Sequence, residues 1–179
     1  MKDMAWKTLA SEYVIRREWL TVRCDVVELP NGHVLDEYYV LEYPTWVNVV
    51  AVTADGDLLL VRQYRHGLGR TCFELVAGVV EVDETPLAAA QRELCEETGY
   101  TGGEWRELMT LSANPTSMNN VTHCFLATGI KKSAVPHLDI GEDIEVHVRT
   151  KEEVQQMVRR GEFMQSLMVA PLLRYFSEQ

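Results

Sequence analysis

A chain of 179 residues, 46% of them hydrophobic, is long enough for one ordinary domain with a buried core and a small appendage. Its net charge of −10, without any Lys/Arg-rich run, argues against a nucleic-acid backbone as main partner, and no apolar stretch approaches membrane-spanning length. The start of the chain has no long apolar run, and Cys24, Cys72, Cys95 and Cys124 show no C-x-x-C spacing, so the expectation is a soluble cytoplasmic protein with reduced thiols.

The first third reads as strands. Leu20, Val22, Cys24 and Val26 alternate with polar residues, as a half-buried strand requires. Pro30-Asn31-Gly32 marks a turn, with Val34–Glu42 as the partner strand. Trp46–Val52 is a further β-prone run, and Asp55-Gly56 turns it into Leu58–Tyr64. The middle changes period. Thr85 can cap a helix, Pro86 suits its first turn and Gly99 its end, while Leu87, Ala90 and Leu94 recur at helical spacing. Trp105–Ser112, Thr122–Thr128 and Glu145–Val148 read as strands again. Thr150 with Glu153 forms a capping-box pattern for a helix ending near Gly161, and a last helix spans much of Met164–Phe176, its regularity limited by Pro171. Strands, helix, strands and helices in this order predict an α/β or α+β fold, with helices packed on a mixed sheet.

The helix after Thr85 carries an unusual load. Glu93 lies three residues before Glu96 and four before Glu97, so the three carboxylates share one region of helix surface. They repel one another, and they sit in the last turns, where the helix dipole disfavours anions. Arg92 can reach Glu96 at i,i+4; the rest of the cluster stays frustrated unless a cation binds. Clustered carboxylate oxygens suit hard ions such as Mg²⁺ or Mn²⁺, and such an ion lets an acidic protein take a phosphate ligand. The competing reading is a solvated, glutamate-rich helix face.

The wider spacing decides between them. Gly78, five residues, Glu84, seven residues, Arg92-Glu93-Leu94, one residue, Glu96-Glu97, one residue, Gly99 and the bulky Tyr100 fill every fixed position of a pattern that resembles the Nudix box. The resemblance implies a Nudix fold, a mixed β-sheet between helices. It implies divalent metal, Mg²⁺ or Mn²⁺, held by Glu93, Glu96, Glu97 and the backbone carbonyl of Ala77. Glu97 and Glu93 are then the box residues closest to the chemistry, while Glu84 and Arg92 pair to hold the loop and Gly78 and Gly99 shape it. The reaction implied is hydrolysis of a diphosphate linkage.

Several segments resemble the ADP-ribose pyrophosphatase and nucleoside diphosphate sugar hydrolase branch. Pro115 follows Gly99 by sixteen residues, Arg62-Gln63-Tyr64-Arg65 is similar to its R-Q-Y-R segment, and Glu74-Leu75-Val76-Ala77-Gly78 is similar to its E-L-P-A-G, with Val76 for proline. The branch implies a β-rich extension, residues 1–43, that pairs two subunits into a homodimer, ahead of a hydrolase domain over residues 44–179. Two loops depart from it: Thr116-Ser117-Met118-Asn119-Asn120 after Pro115, and Asp139-Ile140-Gly141-Glu142-Asp143. The favoured substrate is ADP-ribose, giving AMP and ribose 5-phosphate. GDP-mannose or another nucleotide sugar, a dinucleoside polyphosphate, capped RNA, and a catalytically silent nucleotide-binding module are the alternatives. Candidate substrate contacts are Arg65, Trp46, Pro115 and Ser117, against the plainer readings of Arg65 as a surface ion pair and Trp46 as core. Glu142 is the candidate general base, since Glu142-Asp143-Ile144 followed by Val146 resembles the family's E-D-I-x-V segment; the plainer reading is a solvated acid in an exposed turn.

Overall fold

The computed structural model describes residues 3–178. In chain order the described elements are β1 (Lys7–Arg17), β2 (Leu20–Glu28), β3 (Val34–Glu42), β4 (Trp46–Thr53), β5 (Leu58–Arg65), β6 (Arg70–Glu74), β7 (Val76–Val79), α1 (Pro86–Thr98), β8 (Tyr100–Thr101), β9 (Glu104–Leu111), β10 (Thr122–Lys132), β11 (Ile144–Arg149), α2 (Lys151–Arg159) and α3 (Ser166–Ser177). They form two compact units. The first holds the chain to Pro44 together with Ser112–Asn120, and the second holds Thr45–Leu111 with Val121 onwards.

The first unit is an antiparallel sheet in the order β1-β2-β3. Asp25 is buried in it and is held by Arg23, whose Nε donates to Oδ1 at 2.8 Å and whose second nitrogen donates to Oδ2 at 3.0 Å, and by the Ser11 hydroxyl at 2.6 Å. The Ser112–Asn120 segment joins the sheet through β3: Leu41 N–H donates to the Ser117 carbonyl at 2.7 Å, and Asn119 N–H to the Leu41 carbonyl at 3.3 Å. Every residue of β1 is exposed, so this strand lacks the inside–outside alternation by which a half-buried strand is recognised.

The second unit is a mixed sheet. Strand β10 runs parallel to β4, while β5 and β7 pair with β4, β9 with β10, and β6 and β11 with β5, all antiparallel. Both faces are covered, which is why β4 and the first half of β5, Leu58–Val61, read as nearly continuous apolar runs. Val47, Val49, Ala51, Leu59 and Val61 pack with Ala89, Ala90 and Leu94 of α1. Val50, Val52, Leu58 and Leu60 face the other way, onto Val154 and Met157 of α2 and Met168, Leu172 and Tyr175 of α3. The expected sheet between helices is therefore the architecture found. No described helix is long and apolar enough to cross a membrane.

Pro171 does lie inside α3. A proline there cannot donate to the carbonyl four residues back, that of Leu167. The side-chain amide of buried Asn48 on β4 donates to that carbonyl instead, at 2.7 Å. The helix continues through its proline because the sheet supplies the missing donor.

Candidate active site

Helix α1 starts and stops where local chemistry dictates. The Thr85 hydroxyl accepts from the Ala88 N–H at 3.2 Å, Pro86 occupies the first turn, and Gly99 ends the helix at φ 73°. Burial of Ala89, Ala90 and Leu94 fixes its rotation, and that rotation also buries Glu97, which is 3% exposed. The Glu97 side chain thus points inward, while that of Glu96 stays 44% exposed and that of Glu93 is 12% exposed. The glutamates are not a uniformly solvated face.

Strand β7 brings Ala77 and Gly78 against this helix. Gly78 is required by close approach: a β-carbon there would fall 2.0 Å from Cδ of Glu93. The Ala77 carbonyl immediately precedes that contact. Arg92 ties the loop between β7 and α1 to the helix. Its Nε and one terminal nitrogen donate to the two oxygens of Glu84, each at 3.1 Å; the same terminal nitrogen reaches the Val79 carbonyl at 2.9 Å; the other reaches Glu93 and Glu96, both at 2.9 Å. The guanidinium holds Glu84 below the ordinary carboxylate range. Arg92 thus bonds Glu84 on the loop and restrains Glu93 and Glu96 on the helix at the same time.

Glu97 is the least compensated acid in the site. Its buried Oε2 has no hydrogen-bond partner among the described residues. Burial, then repulsion from Glu93 and Glu142, pushes it up to about 9. Burial likewise raises Glu93, with Glu96 and Glu142 adding to the effect against the pull of Arg92. Glu142 therefore acts electrostatically on both box glutamates, although it lies in the loop before β11. Its own carboxylate accepts from the Asp139 N–H at 3.0 Å.

Arg65, at the end of β5, makes a fork on Glu74 of β6, with bonds of 2.9 and 2.5 Å. Glu74 is 2% exposed and also accepts from the Gln63 side chain at 3.3 Å. It was not a candidate on sequence grounds; its one signal was its place at the head of the segment Glu74–Gly78. Arg65 offsets Glu97 through space only weakly, after burial and two repelling acids.

Among the described residues, no three acidic, histidine or cysteine side chains converge on one point as a finished ligand set. Glu93 and Glu96 are drawn to Arg92 instead. What remains still fits a hard cation: a buried carboxylate oxygen without a partner, a second carboxylate seated on a glycine, and a nearby third acid, with both arginines already engaged. The residues that would hold such an ion are Glu93, Glu96, Glu97 and the carbonyl of Ala77.

The remaining candidates are less central. Trp46 is half-buried at the start of β4, opposite Val79 and Thr122. Pro115 and Ser117 belong to the first unit, where Ser117 is occupied by the Leu41 N–H and, at its hydroxyl, by the Asn114 side-chain amide at 2.9 Å.

Comparison with known proteins fits this geometry. The profile described as NUDIX domain matches residues 43–167, and the profile described as nucleoside diphosphate sugar hydrolase N-terminal domain matches residues 6–41. The chain is 34% identical to an ADP-ribose pyrophosphatase of Bacillus subtilis over 163 residues, covering 90% of this chain and 88% of that one. It is 31% identical to an ADP-ribose pyrophosphatase of Mycobacterium tuberculosis over 175 residues, covering 97% and 84%. A crystal structure described as an ADP compounds hydrolase superposes with a TM-score of 0.87 over 99% of this chain and 96% of that one, at 22% identity, and so shares the fold.

Proposed function

The chain belongs to the NUDIX family and is a pyrophosphohydrolase, and from that premise we propose that it hydrolyses ADP-ribose to AMP and ribose 5-phosphate with Mg²⁺. The observation that carries the proposal is the state of Glu97: almost fully buried, one oxygen unpartnered, and repelled by Glu93 and Glu142. A carboxylate so placed costs stability unless a cation meets it. When bound, Mg²⁺ would neutralise charge on the phosphoryl oxygens and orient water. Conversion of buried Glu97 into a ligand requires loss of its proton, which a cation favours.

The chain's own residues do the rest. Arg92 holds Glu93 and Glu96 at the turn of α1, so their positions are set before substrate arrives. Gly78 leaves the space in which the Glu93 carboxylate sits. Arg65, held by Glu74, presents a cation within electrostatic range of Glu97 and is the candidate contact for a phosphate oxygen. Glu142 takes the proton of the attacking water. The water oxygen bonds to one phosphorus, the bridging P–O bond breaks, and the leaving phosphate carries away the electron pair.

Supporting the ADP-ribose assignment are the two pyrophosphatases, each similar over more than four fifths of its length. The test is a panel of ADP-ribose, GDP-mannose and dinucleoside polyphosphates with Mg²⁺, with products separated by chromatography. AMP and ribose 5-phosphate in equal amounts are expected. Rapid turnover of GDP-mannose with none of ADP-ribose would move the substrate and keep the chemistry; ADP plus free ribose would contradict cleavage of the diphosphate bridge. We also propose that residues 1–43 pair two subunits, as exposed Leu9, Tyr13, Val14 and Ile15 along β1 suggest. Sedimentation showing only monomer at micromolar concentration would refute that.

A further inference from the structure

After β10 ends at Lys132, the chain travels over residues 133–143 before β11 begins at Ile144. It does not cross this interval unattached. The N–H groups of Ser133 and Ala134 both donate to the carbonyl of Gly99, at 2.9 and 3.0 Å, and the N–H of His137 donates to the carbonyl of Glu96 at 2.8 Å. Carbonyls at the end of a helix have no donor within the helix, and here the next crossing of the chain provides it. The approach is close because Gly99 has no side chain. A β-carbon on Gly99 would fall 2.3 Å from the Ala134 carbonyl oxygen and 3.3 Å from Cδ of Pro136. Gly99 thus does more than end the helix; it admits the crossing chain.

Beyond His137 the ties change. Asp139 and Glu142 close a small turn on each other, with the Glu142 N–H donating to the Asp139 carbonyl at 2.9 Å. Ile144 then packs against the core formed by the sheet and α1. The segment bearing Glu142 therefore hangs between two fixed points, both referred to α1. A shorter free span restricts the positions its carboxylate can sample, and a displacement of about 1 Å in a reacting group can cost on the order of 10²-fold in rate.

We propose that Ser133–His137 is a positioning strap: its three backbone N–H groups fasten the loop bearing Glu142 to the helix bearing Glu93 and Glu97, and Gly99 makes room for it. The inference rests on the reading of Glu142 as the residue that activates water. The strap itself touches no substrate and acts through Glu142.

The test is a double-mutant cycle on the full chain, assayed with ADP-ribose and Mg²⁺. His137→Pro removes the N–H that bonds Glu96, and Pro136→Gly loosens the strap without deleting a donor; melting curves establish that each variant is folded. Expected are a fall in kcat of about 10²-fold with little change in KM, a flattened acidic limb of the pH–rate profile, and unchanged Mn²⁺ affinity read by paramagnetic titration. In a Glu142→Gln background the same strap changes should cost almost nothing more, since the group they position is already gone. If Glu142→Gln lowers kcat but a folded strap variant keeps the wild-type rate, or its loss adds in full to that of Glu142→Gln, the strap proposal is overturned while Glu142 keeps its role. If Glu142→Gln itself retains rate and pH profile, Glu142 is not the base and the strap has nothing to position.

Discussion

The α-carbon of Gly78 is packed directly against the carboxyl group of Glu93: a β-carbon at Gly78 would lie 2.0 Å from both Cδ and Oε1. One strand and one helix meet here across the Glu93 side chain, whose carboxylate occupies the space a methyl group on Gly78 would fill. Gly78→Ala must therefore move Glu93 or separate β7 from α1. Gly78→Ala is expected to lower kcat/KM by on the order of 10²-fold and to weaken Mn²⁺ binding, measured by steady-state kinetics and by paramagnetic titration. Wild-type metal affinity in a folded Gly78→Ala protein would show that the Glu93 position is immaterial.

The bond from Asn48 to Leu167 makes a second expectation, about stability alone. Asn48→Ala leaves the Leu167 carbonyl buried without the donor that Pro171 cannot supply, at a cost of about 1–3 kcal/mol in denaturant unfolding. In a Pro171→Ala background the residue at 171 has an N–H of its own, so the cost of Asn48→Ala should shrink. Equal costs in the two backgrounds would mean that the amide and the proline are not coupled.

How far the fold could be read beforehand follows from where its signals lie. Helix α1 was legible because its cap, its first-turn proline, its terminal glycine and its acid spacing all sit within Thr85–Gly99. Strands β4 and β5 were legible as apolar runs. Strand β1 was not, because all of Lys7–Arg17 is exposed and no face is marked. Strands β6 and β7 are short and divide at Leu75, so they read as one motif rather than as two strands on different partners. Glu74 went unmarked because the burial of a glutamate depends on an arginine from a neighbouring strand, which no local spacing reveals. The hydrogen bonds of Ser133–His137 are made by backbone groups and leave no side-chain signature at all.

Asp25 should make the protein acid-sensitive in a defined direction. Hydrogen bonding to Arg23, ahead of the opposing effect of burial, lowers Asp25 from its ordinary 3.8. A depressed carboxylate contributes stability that is fully present above the unfolded value and is lost as pH falls through the folded one. Urea midpoints should thus drop as pH falls below about 4. Asp25→Asn should cost about 1–3 kcal/mol at pH 7 and reduce the part of that acid loss due to this residue. An identical pH slope in the wild type and Asp25→Asn would remove the Asp25–Arg23 pair from the acid response.

Glu97 offers the most direct measurement. Because its carboxyl is raised to about 9, it is largely protonated at pH 7 without metal, and Glu97→Gln closely matches that neutral form. The metal-free variant should therefore melt at or slightly above the wild-type temperature. Added Mg²⁺ should raise the melting temperature of the wild type but hardly that of Glu97→Gln, and ADP-ribose turnover at fixed Mg²⁺ should fall by on the order of 10²-fold or more. A folded Glu97→Gln protein that keeps near-wild-type turnover and the full Mg²⁺ shift would contradict the assignment of the box glutamates as the metal-binding centre of a pyrophosphohydrolase.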